Sequence, residues 1–211
     1  MKKHSLLSDA DQALLDEYLS GLTMAPRNTK KLFAIGFLGL PGSGKSTIAD
    51  MLAKKLRLPV SRSDQIRRFL NAKGFEGSSP RQDIMATLAE DRTLYYYAHQ
   101  TSVIIDANFT EYASASRENA RRSGAELLLI RLECPDDVAI KRLKTRVVSG
   151  DTRDSSVTHE QYGQIKDKVK TFQSVDDPYF VIDTTDNVEI QIQSFISKLV
   201  SDHYIESPEG T

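Results

Sequence analysis

A glycine-rich stretch that ends in Lys and Ser is the strongest chemical signal in the sequence. Residues 39–46 read Gly-Leu-Pro-Gly-Ser-Gly-Lys-Ser and match the pattern G-x-x-x-x-G-K-[ST] in full, between an apolar segment and an amphipathic one. Glycines let backbone N–H groups approach an anion closely, and the first turn of a helix adds unpaired donors and partial positive charge. The pattern predicts a P-loop that binds the phosphates of a nucleoside triphosphate.

Two side chains of this loop have distinct predicted roles. The Lys45 ammonium can reach the β- and γ-phosphates, and the Ser46 hydroxyl can ligate Mg²⁺. A dinucleotide-binding fingerprint is excluded because Thr stands at position 47, where its third glycine would fall. The predicted nucleotide-binding residues are Gly39, Leu40, Pro41, Gly42, Ser43, Gly44, Lys45, Ser46 and Thr47.

An aspartate at the end of another apolar segment is the second metal candidate. Asp106 follows Val-Ile-Ile, and its carboxylate can hold Mg²⁺ or its waters. Motor ATPases usually place Glu next, to orient water, whereas residue 107 is Ala. The GTPase motifs N-K-x-D and D-x-x-G do not occur in the sequence. These observations favour transfer to a bound acceptor over hydrolysis.

The acceptor side has a carboxylate and a guanidinium three residues apart. Asp64 and Arg67 follow a short apolar segment and begin a predicted helix, at the strand end where open α/β sheets bind ligands. Asp64 could take the proton of an attacking hydroxyl, and Arg67 could hold an anionic group. A helix N-cap is the alternative role for Asp64. Asn108 is a further candidate acceptor or phosphate contact, and Phe75 and Phe109 are expected to flank the pocket.

Arginines near residue 150 are candidates for neutralising the transferred phosphoryl group. Arg142 and Arg146 are four residues apart on a predicted helix, and Arg153 lies in the loose segment that follows. Arginines carried by a closing lid stabilise charge on the equatorial phosphate oxygens. A solvated basic helix face is the alternative interpretation for the pair. The predicted catalytic set is therefore Asp64, Lys45, Arg142 and Arg146.

Taken in order, these motifs resemble the P-loop kinases related to polynucleotide 5′-hydroxyl kinase, chloramphenicol phosphotransferase and zeta toxin. The resemblance covers roughly residues 32–185 and adds Glu-Cys-Pro before the arginine pair to the motifs above. It implies that Asp64 is the general base, that Arg67 contacts the acceptor, and that Arg142 and Arg146 serve the lid. It also implies the strand order 2-3-1-4-5, with adenine between the lid helix and residues 183–186.

Apolar segments and amphipathic segments alternate along the chain, which is typical of a parallel sheet covered on both faces. The predicted fold is a three-layer α/β P-loop NTPase fold with a small lid. The predicted strands are Leu32–Leu38, Leu58–Ser61, Ser102–Asp106, Glu126–Leu132 and Tyr179–Ile182. We expect an N-terminal helical extension at 1–31, a kinase domain at 32–203 with its lid at about 146–157, and a tail at 204–211.

Composition narrows the cellular setting and the partners. The 211 residues carry a formal net charge of -1, so a nucleic-acid partner is possible but not favoured. No apolar run reaches the roughly 18–20 residues that span a bilayer, and a single cysteine, Cys134, excludes a disulfide within this sequence. We therefore expect a cytoplasmic protein that meets no membrane, and its oligomeric state stays open.

The sequence predicts a kinase that uses ATP and Mg²⁺ to phosphorylate a hydroxyl of a small-molecule or nucleotide-like acceptor. Two alternatives remain open. A polynucleotide 5′-hydroxyl kinase would need a basic groove built from Arg67, Arg68, Arg81, Arg121 and Arg122. A nucleotide-binding switch with negligible transfer would use its N-terminal helix as a partner surface.

Overall fold

Five parallel strands form the sheet at the centre of the molecule. The computed structural model describes residues 9–25, 29–75, 81–109, 112–149, 162–167 and 178–207. The strands run in the spatial order β2-β3-β1-β4-β5, and each neighbouring pair is parallel. They are β1 (Phe33–Leu38), β2 (Val60–Arg62), β3 (Val103–Asn108), β4 (Glu126–Glu133) and β5 (Phe180–Asp183). The predicted fold class and strand order are confirmed.

Helices connect the strands and cover both faces of the sheet. They are α1 (Asp9–Ser20), α2 (Lys45–Leu56), α3 (Ser63–Ala72), α4 (Arg81–Ala98), α5 (Ala113–Arg122), α6 (Asp136–Ser149), a helical segment α7 at residues 162–167, and α8 (Val188–Ser201). Within the described ranges, none of them has the length and apolar character needed to cross a bilayer.

The two faces of β1 show why the strand is apolar at almost every position. Alternate side chains of a strand point to opposite faces. Phe33 and Phe37 pack with Leu52 of α2 and Phe195 of α8, in a cluster on one face. Ala34 and Leu38, together with residues of α4 and α5, form a second cluster on the other face. Burial on both faces explains the continuous apolar pattern.

Gly36 is the one position of β1 where a side chain has no room. A Cβ atom built there would lie 2.7 Å from the Phe109 ring and 3.0 Å from Leu129. Phe109 is 7% exposed and belongs to the core cluster on that face. The expectation that Phe109 flanks an acceptor pocket is therefore wrong, because its ring packs under the central strand.

Residues of both predicted flanking segments pack against the sheet domain. Leu15 and Tyr18 of α1 form a buried cluster with Ile66 and other residues of α3 and α4. At the other end, Tyr204 and Ile205 are buried in the main core, and the Tyr204 carbonyl accepts a hydrogen bond from the Lys30 backbone N–H at 2.8 Å. The division into extension, domain and tail stays a prediction.

Candidate active site

The glycine-rich loop joins the carboxyl end of β1 to the first residue of α2. Gly42 and Gly44 have positive φ angles of 79° and 98°, which L-residues rarely adopt. Gly44 is the N-cap of α2 and provides no side-chain cap, so the first N–H groups of this helix are suited to an anion. Lys45 Nζ donates to the carbonyl oxygens of Gly39 at 2.9 Å and Leu40 at 2.8 Å. The loop therefore holds its lysine over its own backbone.

The loop also lies directly against the first turn of α6. A Cβ atom at Gly42 would stand 2.4 Å from the carbonyl oxygen of Ala139, and Ala139 is 1% exposed. Real Cβ contacts are essentially never this short. The close approach of these two backbones therefore depends on glycine at position 42.

The two predicted metal ligands are in contact. The Ser46 hydroxyl makes a side-chain hydrogen bond with Asp106, whose side chain is 11% exposed. Burial raises the pKa of the Asp106 carboxyl above its ordinary value, an effect that the Ser46 hydrogen bond and the charges of Arg62 and Lys45 oppose. The charge of Asp64, which lies two residues beyond the register partner of Asp106, also raises this pKa.

A hydroxyl and a buried carboxylate fit Mg²⁺, which proteins commonly bind through one or two carboxylates plus substrate phosphates. In the part of the chain that the structure describes, no group of three or more His, Cys, Asp or Glu side chains is placed to hold a metal. The Ser46–Asp106 pair is thus a partial donor set that triphosphate oxygens and waters would complete.

Arg62 is a residue of this site that sequence reasoning missed. It ends β2, where its register partner on β3 is Asp106. Its Nη1 donates to Asp106 Oδ2 at 3.1 Å, and Nη2 bonds to Asp50 on α2. The side chain is 19% exposed and lies between two carboxylates. In the sequence it is one arginine among many, and only the strand register brings it to Asp106.

Asp64 lies in the first turn of α3. The helix begins at Ser63 and its N-cap residue is Arg62, so the N-cap interpretation of Asp64 is wrong. A carboxylate in the first turn is stabilised by the helix dipole. Asp64 is 17% exposed and accepts a hydrogen bond from Arg68 Nη2 at 2.9 Å. Arg68, four residues along the helix, is thus a partner of Asp64 that the sequence reasoning did not assign.

The two predicted acceptor contacts lie at the same edge of the sheet. Arg67 follows Asp64 by one helical turn of α3, and Asn108 is the last residue of β3, the neighbour of β2. Both side chains are half-buried. Their contact with an acceptor stays a prediction.

A cavity of about 600 Å³ opens beside the P-loop. It lies between α2, which contributes Thr47 and Met51, and α6, which contributes Val138 and Thr145, with Thr184 after β5 closing one end. Ligand pockets typically enclose roughly 300–1,000 Å³. The cavity therefore has room for a nucleoside, at the position expected for adenine.

Arg142 forms part of the wall of this cavity. Its Nη1 donates to Thr184 Oγ1 at 3.0 Å and its Nη2 donates to the Thr184 carbonyl oxygen at 2.8 Å. A Cβ atom at Gly44 would lie 3.8 Å from Nη1, so the guanidinium is also close to the P-loop. The side chain of Arg146, along with Arg153 and nearly all of the predicted lid, lies outside the described residues.

Comparison with known proteins agrees with this geometry. Residues 35–172, more than half of the chain, match the family model described as AAA domain. The chain belongs to this AAA domain family. Adenylate kinase from Coxiella burnetii is 31% identical over an alignment of 122 residues, and the match covers 53% of this chain and 52% of that enzyme. This AAA domain protein thus spans about half the length of the curated relatives it matches.

Solved structures share the same fold. A putative kinase from Chloroflexus aurantiacus j-10-fl matches with a TM-score of 0.57 and 19% identity, over 82% of this chain and 98% of that one. A structure from the PezAT chromosomal toxin-antitoxin system of Streptococcus pneumoniae matches with a TM-score of 0.61 and 14% identity, over 86% and 80%. At these identities the matches show the fold alone, which is the P-loop NTPase fold.

Proposed function

We propose that the protein is an ATP- and Mg²⁺-dependent kinase that transfers the γ-phosphate to a hydroxyl of a small-molecule or nucleotide-like acceptor. The observation that supports it most is the presence of two carboxylates beside the P-loop. Asp106 is hydrogen-bonded to Ser46 and experiences the charges of Lys45 and Asp64. One carboxylate is thus available for a metal and a second for a proton, as transfer to a hydroxyl requires.

The P-loop and Lys45 bind the triphosphate in this mechanism. The uncapped N–H groups of α2 donate to phosphate oxygens, and Lys45 exchanges its two backbone acceptors for the β- and γ-phosphates. Ser46 and Asp106 would hold Mg²⁺, which when bound neutralises charge that develops on the phosphate oxygens. The nucleobase occupies the cavity between α2 and α6, beside Arg142, whose planar guanidinium is suited to stacking. In this scheme Arg142 binds the nucleobase, which replaces the role predicted for it from the sequence, neutralising the transferred phosphoryl group.

Asp64 acts on the acceptor. Its carboxylate takes the proton of the attacking hydroxyl as the acceptor oxygen bonds to the γ-phosphorus and the bond to the β-phosphate oxygen breaks. Arg68 holds Asp64 on the outer side through the 2.9 Å hydrogen bond, and Arg67 binds an anionic group of the acceptor. The role predicted for Arg146 from the sequence, neutralising the transferred phosphoryl group, stays a prediction.

The relatives support parts of this proposal. The name adenylate kinase of the Coxiella burnetii relatives favours ATP as the phosphate donor. The finer resemblance to kinases of the polynucleotide 5′-hydroxyl kinase, chloramphenicol phosphotransferase and zeta-toxin group rests on the order of the sequence motifs. We retain that group as the proposed subfamily.

A small acceptor is favoured over a nucleic acid strand. Arg121 and Arg122 were candidates for a basic groove, but both donate to Glu118, at 2.9 and 2.7 Å. The single Glu118 carboxylate offsets one of these two positive charges. A groove with fewer uncompensated cations makes fewer phosphate contacts and binds a strand more weakly.

Incubation with γ-labelled ATP tests the proposal. The acceptor panel contains nucleosides, sugars, nucleotide-sugars, antibiotics and 5′-hydroxyl oligonucleotides, each with and without Mg²⁺. We expect a labelled product from one class, only with Mg²⁺. Asp64→Asn should bind ATP normally and lower transfer about 10²–10⁴-fold. Unchanged transfer by Asp64→Asn would refute Asp64 as the general base. Hydrolysis of ATP without any labelled acceptor would refute the proposal that the protein is a kinase.

A further inference from the structure

Arg92 in α4 is a buried cation outside the proposed set of transfer residues. Its side chain is 1% exposed. Nη1 donates two hydrogen bonds, to the Tyr18 hydroxyl at 2.9 Å and to the Arg62 carbonyl oxygen at 2.8 Å. A buried guanidinium is costly unless its hydrogen bonds are made well. Nε is buried without a hydrogen-bond partner in the described part of the chain, so the two bonds of Nη1 hold the guanidinium in place.

The carbonyl that Arg92 binds lies at a critical point of the backbone. Arg62 is the last residue of β2, its side chain bonds to Asp106, and Asp64 follows two residues later. β2 is an edge strand of three residues, and its ladder is formed with β3 alone. A strand held this briefly needs further anchoring, and the Arg92 bond holds the end from which both side chains extend.

Tyr18 connects this anchor to the N-terminal helix. The tyrosine is 8% exposed, and its ring centroid lies 5.0 Å from that of Phe69 on α3. Leu15, one helical turn earlier, is buried in the same cluster of α1, α3 and α4 side chains. At the end of α3, Lys73 bonds to Glu17 at 2.5 Å. The helix is thus packed so that its tyrosine hydroxyl accepts from Arg92.

We propose that Tyr18 and Arg92 are positioning residues for phosphoryl transfer. The Tyr18 hydroxyl holds Arg92, Arg92 holds the Arg62 carbonyl, and Arg62 and Asp64 thereby keep their places beside Asp106. The inference rests on the proposed kinase function and assigns a role in it to the N-terminal helix. Neither residue touches a substrate in this scheme, so their loss acts on the rate of transfer and not on nucleotide binding.

Two conservative variants of α1 separate positioning from stability. Tyr18→Phe deletes the hydroxyl and keeps the ring, whereas Leu15→Val shortens a side chain in the same cluster and keeps the hydroxyl. Hydrogen–deuterium exchange is followed in peptides covering residues 60–66 and, as an internal reference, α2. The melting temperature, ATP affinity, and kcat and KM for the acceptor found in the panel are measured alongside.

We expect Tyr18→Phe to accelerate exchange at residues 60–66 about tenfold, since it removes a hydrogen bond to a charged group. Exchange in α2 and ATP affinity should stay unchanged, and kcat should fall about three- to tenfold. Leu15→Val should lower the melting temperature comparably and leave kcat at its wild-type value. It should accelerate exchange at 60–66 less than Tyr18→Phe does, because Leu15 packs in the cluster that contains Ile66 but makes no bond to Arg92.

Two results would overturn the inference. Wild-type exchange at 60–66 in Tyr18→Phe would show that the tyrosine hydroxyl does not order the junction between β2 and α3 (residues 60–66), whether or not the protein is a kinase. Equal losses of kcat in the two variants would show that the rate follows stability alone. A wild-type protein that phosphorylates no acceptor would instead refute the kinase proposal and the catalytic part of this inference, and the exchange comparison would still decide the coupling of Tyr18 to the junction.

Discussion

Replacing Gly42 with Ala tests how tightly the phosphate-binding loop is fitted against α6. The φ angle of Gly42 is 79°, and an L-residue in this region costs about 1–2 kcal/mol. The new Cβ would also lie 2.4 Å from the Ala139 carbonyl oxygen, which is backbone and cannot rotate away. Overpacking of this kind costs about 1–3 kcal/mol. The expected loss of unfolding free energy is therefore about 2–5 kcal/mol.

Gly74 provides a matched control for the backbone contribution. Its φ angle is 82°, nearly that of Gly42, but a Cβ atom there would have no described residue within 4 Å. Gly74→Ala should therefore cost only about 1–2 kcal/mol. Both substitutions restrict the unfolded chain equally, so this effect cancels in the difference between them.

Urea unfolding followed by circular dichroism gives both free energies, and calorimetric titration with a non-hydrolysable ATP analogue gives the affinities. Gly42→Ala should bind the analogue at least about tenfold more weakly, because the N–H groups beside residue 42 must move with it. Gly74→Ala should bind it normally. If the two variants lose the same unfolding free energy, the backbone at Ala139 moves away from the new Cβ at no energetic cost. That result would refute the inference that the loop is tightly fitted against α6.

Three further substitutions test the metal site and the nucleotide cavity. Asp106→Asn keeps the shape of the side chain but removes its charge, so the affinity for ATP should fall about tenfold or more with Mg²⁺ and stay unchanged without it. Titrations with and without Mg²⁺ measure both affinities. An equal loss of affinity in the two titrations would contradict a metal at Asp106. Arg62→Gln removes the cation that bonds to Asp106 and should lower the free energy of unfolding by about 1–3 kcal/mol. Mg²⁺ should restore part of this stability in thermal melts. A loss of stability that Mg²⁺ does not alter would argue against a metal at Asp106. Arg142→Ala should lower the affinity for ATP about tenfold and leave the affinity for tripolyphosphate nearly unchanged. Equal losses of affinity for the two ligands would show that Arg142 contacts the phosphates instead of the nucleobase.

Local patterns explain what could be predicted from the sequence. The P-loop is contiguous, so its residues, its turn and the helix after it follow from one stretch of chain. The three central strands β3, β1 and β4 are buried over much of both faces, so they appear as apolar runs. The observed boundaries of all five strands differ from the predicted ones by at most two residues. Asp106 could be assigned because it ends such a run.

Contacts between distant residues explain what could not be predicted. Arg62 meets Asp106 44 residues away because β2 and β3 pair in a particular register. Tyr18 meets Arg92 across 74 residues through helix packing alone. Asp64 has arginines at both i+3 and i+4, and helical spacing allows either; the structure pairs it with Arg68.

The two halves of the site differ in how many neighbours support them. The loop that holds the phosphates leaves β1, the central strand, which has β3 and β4 on either side. Asp64 follows β2, a strand of three residues at the edge. Substitutions near the edge of the sheet disturb fewer packed neighbours than substitutions at its centre, so they lower the free energy of unfolding less. A scaffold divided in this way can exchange one acceptor for another over evolution while its nucleotide-binding half stays the same.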